Sequence, residues 1–283
     1  RLYRARAAFG LPRGGIEGNG CGSTSKSGQI GDCGMNAILS SLLGNEGGLR
    51  QWVKRREHPL ARLMYAMAKG VKRFELPLVK PFHGTIYRLH RFAVTAASEM
   101  ARIFYWTPLF KSRLQAPAKG LYLYGGMPFL MGPLAMRFGE GCRVSGVTTF
   151  SGRGVSHETP RLIVGDNVDI SWQTTIAVGR EVRIGDNVRM AGQVFLAGYP
   201  GHPLDAKARA SGEPETDDQV GDIILEDDVW LATRVTVNSG IRIGRGTIVA
   251  AGSVVTRDLP PNVLAGGSPA RVIRPLTDTE NGL

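Results

Sequence analysis

The stretch "GDIILEDDVWLATRVTVNSGIRIGRGTIVAAGSVVTRDLPPN", residues 221–262, repeats with an unusual period. Leu225, Leu231, Val237, Ile243, Val249 and Val255 stand six apart without a break. A helix repeats every 3.6 residues and a strand every two, so neither explains the spacing. A period of six is the signature of a parallel β-helix built from hexapeptides, three short faces to each triangular coil. Working outward, the period extends upstream. Phe138, Val144 and Phe150 are six apart, as are Val164, Ile170, Ile176 and Val182. After a two-residue phase shift come Ile184, Met190 and Leu196. The residue after the aliphatic position is mostly small or turn-forming, as in Gly165, Ser171, Ala177, Ala191, Ala232 and Ala250, because a tight corner has little room. The 38 glycines and low aromatic content agree with turn-dense β structure. The expected fold is therefore an all-β parallel β-helix over residues 121–275.

One segment interrupts the repeat. "GYPGHPLDAKARASGEP", Gly198 to Pro214, is polar and holds His202. From Leu196 to Leu225 the chain leaves the coil and rejoins it nearly in phase, so residues 198–221 form a long excursion. Imidazole titrates near neutrality and suits proton transfer, although a lone loop histidine is more often a solvated side chain.

The front of the chain differs. Residues 1–120 carry 20 Lys and Arg against 6 Asp and Glu, whereas the rest carries 15 against 18. Residues 1–47 are Gly/Ser-rich and read as a flexible segment. Residues 48–120 read as a basic helical region, with a break at His58-Pro59. Ile86, Leu89, Phe92, Ala93, Ala96, Met100 and Ile103 recur at helical spacing, flanked by Arg88, Arg91, Arg102, Lys111 and Arg113. Two arrangements fit: a helical hairpin packed on the protein, or a basic amphipathic surface on anionic lipid through residues 48–115. "LYLYGGMPFLMGPLAM", Leu121–Met136, is too short and too broken to span a bilayer and reads as a buried approach to the coils. Residues 276–283 form a tail. Three cysteines make no disulfide framework and fit a reducing compartment. No nucleic-acid motif accompanies the positive charge, so nucleic acid is not an expected partner.

The segments "DDVW", "AAGSVVTRDLPPN" and "GGSPARVIR" resemble those of the left-handed β-helix acyltransferases of the hexapeptide-repeat superfamily. The similarity is strongest to galactoside, maltose and nodulation-factor O-acetyltransferases and to capsule and exopolysaccharide acetyltransferases, over roughly residues 138–275. The resemblance implies a left-handed helix, a homotrimer with sites in the clefts between subunits, and acetyl-CoA as co-substrate without a metal. It implies that His202, in "GHPLD", is the catalytic base. Thr233, Ala251, Thr256, Arg257, Arg271 and Arg274 fall where relatives meet the coenzyme, the arginines at its phosphate end. Trp230 falls near the acceptor end. Ser171, with Trp172 and Gln173 beside it, stands where relatives carry a sugar-binding asparagine, and Gly179 where they carry an acidic residue. Both departures separate the acceptor from the small sugars of those relatives.

The expected activity is transfer of an acetyl group to a hydroxyl of a polysaccharide or a lipid-linked glycan precursor, in the cytoplasm or on the inner face of the plasma membrane. N-acetylation of an amino sugar, or O-acetylation of a small sugar or xenobiotic, is the second reading. A carbonic-anhydrase-like metal enzyme needs three converging histidines, and only His157 and His202 lie in the β-helix portion.

Overall fold

In a computed structural model of the chain, residues 46–277 and 279–280 are described. The flexible-segment expectation for residues 1–47 falls almost wholly outside them, as do Cys21 and Cys33. The chain divides into two compact units, Arg1–Val79 and Lys80–Leu283.

The first unit contains helices α1 (Glu46–Arg55) and α2 (Pro59–Arg73). The break between them comes where the sequence puts it. Arg56 turns into the left-handed region at φ 56. His58 then caps α2, its Nδ1 accepting from the Leu60 N–H at 3.2 Å, and Pro59 begins the helix, where its missing N–H costs nothing.

The second unit opens with α3 (Lys80–Ala101), a π-helical turn (Arg102–Trp106) and α4 (Thr107–Lys111). Behind them the chain winds into three parallel sheets of eight, six and five strands. Apart from a terminal antiparallel hairpin in the first sheet, strands adjacent within a sheet are one coil apart in sequence, the defining register of a β-helix. The fold is the expected left-handed parallel β-helix with an α-helical N-terminal extension.

Each face stacks one inward row. On the first, Leu123, Val144, Ile170, Met190, Leu231, Val249 and Ala265 lie in register. On the second the row is Leu130, Phe150, Ile176, Leu196, Val237 and Val255. On the third it is Phe138, Val164, Ile184, Leu225 and Ile243. Nearly all of these side chains are fully buried, and together they form the core. The two-residue phase shift is absorbed on the third face, where Val182 and Ile184 both point inward from one four-residue strand, Glu181–Ile184.

Two details at the start of the β-helix differ from those expected. "LYLYGGMPFLMGPLAM" is not an approach segment but the first coil, reached by irregular steps from Leu123 through Leu130 to Phe138. The β-helix core also reaches back across residue 120. Phe110 of α4 is fully buried, edge-on to Phe138 at 5.7 Å, and Ala118 joins the same core. The helix α4 thus closes the end where the first coil would leave an open hydrophobic cross-section. At the far end, Ala270–Pro275 pairs antiparallel with Val263–Gly267 and closes the first sheet.

The corners carry polar ladders. Between the third and first faces, Asn167 donates from Nδ2 to Oδ1 of Asn187 at 2.8 Å, and Asn187 to Oδ1 of Asp228 at 3.0 Å. All three have positive φ, which asparagine and aspartate tolerate better than other side chains. Between the first and second faces, Gln193 donates to Gln173 at 2.7 Å and accepts from Arg234 at 2.6 Å.

Candidate active site

The excursion 198–221 leaves at the corner between the second and third faces. Its base is closed, with the Gly221 N–H donating to the Gly198 carbonyl at 3.2 Å. A side chain at Gly179 would meet that carbonyl at 2.4 Å and Val220 at the same distance. The glycine at 179 is therefore demanded by the close seating of the loop.

Within the loop, His202 stands between two constrained positions. Gly201 reverses the chain at φ 79, and Pro203 is buried and restricts the residue before it to extended conformations. The imidazole of His202 is exposed and takes no hydrogen-bond partner among the described residues. The chain then turns into a short helix, α5 (Ala206–Ala210), capped by Asp205, whose Oδ1 accepts from the N–H groups of Lys207 and Ala208 at 3.0 and 2.8 Å. Arg209 donates back to the carbonyls of Pro203 and Leu204, both at 3.0 Å. These bonds give the residues after His202 a defined path.

A second excursion, absent from the reading of the sequence, lies beside the first. Residues 153–160 leave the same corner two coils earlier. Arg153 is 4% exposed, and its guanidinium binds Glu215 and Asp217 of the catalytic-loop candidate. Burial works against that charge, but the bonds to Asp217 and Glu215 outweigh it and hold the group above its ordinary range; the same contact holds the Asp217 carboxyl below its own. Arg153, Ser156, His157, Arg161, Arg180 and Asp217 face a cavity of about 600 Å³ at this corner.

The residues expected to form the site do not meet in one place. His202, Thr256 and Arg257 belong to the corner at the end of the second face. Trp172, Gln173, Thr233 and Ala251 lie at the opposite edge of that face, at the corner with the first. Ser171, Trp230 and the terminal hairpin bearing Arg271 and Arg274 belong to the first face. Ser171 Oγ lies 3.5 Å from the hydroxyl of Tyr124. The Trp172 indole covers Gly192, where a Cβ would come within 2.6 Å of the ring. Gln173 is committed to the corner ladder, and Trp230 points outward between Arg189 and Ile248.

Thr233 and Ala251 are exposed beside a flat strip of Ala191, Ala232 and Ala250, and Thr256 is exposed at the opposite edge of the second face. Among the described residues Arg257 has no carboxylate partner, and Arg271 bonds only the carbonyl of Ala270. Arg274 is already taken: Glu280 holds it through two bonds of 2.8 and 2.7 Å. Glu280 is held down to about 2 by that pair first, then by the N–H and hydroxyl of Thr277. An alanine-lined strip that ends at Arg271, paired with Gly266, fits an extended thioester arm with a phosphorylated end.

The model of the bacterial transferase hexapeptide (six repeats) matches residues 222–257. Galactoside O-acetyltransferase of Lactococcus lactis is 30% identical over 153 residues, 53% of this chain and 68% of that protein. Galactoside O-acetyltransferase of Escherichia coli is 38% identical over 117 residues, 41% of this chain and 55% of that protein. A crystal structure of a hexapeptide-repeat acetyltransferase from Vibrio cholerae with acetyl coenzyme A is 29% identical, covering 56% of this chain and 73% of that one, with a TM-score of 0.34. The chain belongs to the hexapeptide-repeat transferase family, the class its coils define. It spans little more than half the length of the Escherichia coli relative.

Proposed function

We propose that the protein is an acetyl-CoA-dependent O-acetyltransferase acting on a polysaccharide or a lipid-linked glycan precursor. The observation that carries the reading is the placement of His202. It stands free on an excursion that is tied to the coils at its base and on both limbs, above a face edged by coenzyme candidates. In this reading His202 takes the proton of the acceptor hydroxyl as its oxygen attacks the thioester carbonyl. It returns that proton to the departing sulfur, so the products are an O-acetyl ester and a free thiol. Backbone N–H groups of the exposed corner stabilise the intermediate oxyanion.

The split of the candidates between two corners supports a homotrimer. In one chain the corners are a face apart, whereas in a ring of parallel prisms the loop corner of one chain meets the opposite corner of the next. The cavity at the loop corner, with alternating arginines and carboxylates, supports a polyhydroxylated acceptor.

Support for a lipid surface comes from α3. It has no buried side chain, and Leu89 and Phe92 are 63% and 74% exposed beside Arg88 and Arg91. No described helix is long and apolar enough to cross a membrane, so contact is interfacial in this reading. The amino-sugar acceptor remains the second reading, since the same base serves an amine.

The test is acetyl transfer from labelled acetyl-CoA to a panel of lipid-linked oligosaccharides, polysaccharides and amino sugars, with products identified by mass spectrometry. An O-acetylated glycan is the expected product. N-acetylation alone, or transfer to none of the panel, contradicts the reading.

A further inference from the structure

Arg153 is a buried charged residue of the coils. It sits between Gly152 and Gly154 at a corner, yet its side chain is almost completely buried beneath the excursion. Its backbone belongs to the coil wall, with the N–H donating to the carbonyl of Val178 at 3.0 Å. Its guanidinium belongs to the loop. Nε donates to Oε1 of Glu215 at 2.6 Å, Nη2 to the Glu215 carbonyl at 2.8 Å, and Nη1 to Oδ1 of Asp217 at 2.5 Å. Glu215 is itself 6% exposed, so both members of the pair have given up water. A buried arginine and carboxylate stay charged only where geometry satisfies both, and here a backbone carbonyl and a second carboxylate complete the set. The partners are 62 and 64 residues from Arg153 in sequence, so the contact does nothing for local structure. What it fixes is the return limb of the excursion. The outgoing limb is fixed by the neighbouring residue pair, with Tyr199 donating to Ser151 Oγ at 3.1 Å.

We infer that Arg153 is a positioning residue, which through Glu215 and Asp217 locks the 198–221 loop and so sets where His202 stands. The inference rests on the reading of His202 as the base. A fork of this kind is specific to arginine, because lysine offers a single charged point and cannot engage three acceptors fixed in one plane. A misplacement of about 1 Å in a catalytic group costs about a hundredfold in rate.

The test uses the full chain and the variants Arg153→Lys, Arg153→Ala and His202→Ala. Amide hydrogen exchange is read over residues 199–216, and kcat and KM for acetyl-CoA are read on the acceptor that the wild type acetylates. Both Arg153 variants are expected to speed exchange in the loop by at least about tenfold while exchange in the coils is unchanged. Both are expected to lower kcat by about a hundredfold with KM for acetyl-CoA within about twofold. Lysine is not expected to rescue, which separates loss of the fork from loss of charge. If Arg153→Ala fails to fold, the pair Arg153→Met with Glu215→Met removes both buried charges together and is read in the same way. Unchanged loop exchange overturns the inference, as does faster exchange with kcat retained. If His202→Ala keeps the wild-type rate, the reading of the base fails and the positioning role fails with it, whatever the loop does.

Discussion

Ile176, on the second face of the coils, is completely buried; Leu89, in α3, is 63% exposed. Both are aliphatic, and both belong to a regular apolar series. The series differ in what stands opposite. A six-residue period brings each aliphatic residue into register with its equivalents one coil away, so the sequence supplies its own partners. The stripe of α3 has a helical period, and nothing in the described residues covers it. Regularity alone therefore does not create a core; register does. The exposed series gives up what burial would contribute, about 1.5–3 kcal/mol for each large aliphatic side chain, and that unused contribution is the physical basis for placing the helix against a surface.

The largest effect should come from truncating the buried series. Ile176→Ala should cost about 2–5 kcal/mol in chemical denaturation, through lost burial and a cavity between rigid coils. Leu89→Ala should cost about 0.5 kcal/mol or less. A comparable loss at Leu89 would mean that the stripe is packed in solution, against another copy of the chain or another part of this one, and the contrast would be broken.

A middle-sized effect concerns the use of the exposed face. Reversing Arg88 and Arg91 to Glu should weaken binding to anionic phosphatidylserine vesicles about tenfold or more, and neutral vesicles should bind weakly throughout. Equal sedimentation of wild type and variant would remove lipid as the covering surface.

The smallest effect lies at the far end of the coils. Glu280 is depressed in the folded chain, so its pairing with Arg274 is present above the ordinary glutamate range. The pairing is lost only as pH falls through that range toward about 2. At neutral pH Glu280 competes with any phosphate for Arg274. Glu280→Gln should tighten coenzyme A binding by a factor of about two in calorimetry. Weaker binding would show that Arg274 serves best when held by the tail.

Much of this architecture was legible in the residues. The inward rows were readable because one aliphatic side chain in six decides each strand, and no long-range information is needed to find it. The first coil lies inside the expected β-helix but shows no six-residue period, because its steps from Leu123 to Leu130 to Phe138 are seven and eight residues, and glycine and proline obscure the beat. The capping role of Phe110 was hidden because a helical stripe does not say what it packs on. The excursion and His202 stood out as a break in the period. The clamp from Arg153 did not, since its partners lie more than sixty residues away and an arginine flanked by glycines resembles any surface corner. Gln173 stands two residues after Ser171, but its side chain also belongs to the corner ladder with Gln193, a relation that only register reveals.

The claim on which the account turns is that the excursion carries the base. Steady-state acetyl transfer by His202→Ala, measured alongside calorimetric binding of coenzyme A, tests it directly. The account predicts that kcat falls by about 10²–10⁴-fold while the dissociation constant for coenzyme A stays within about twofold of the wild type. A variant that turns over at the wild-type rate would contradict it.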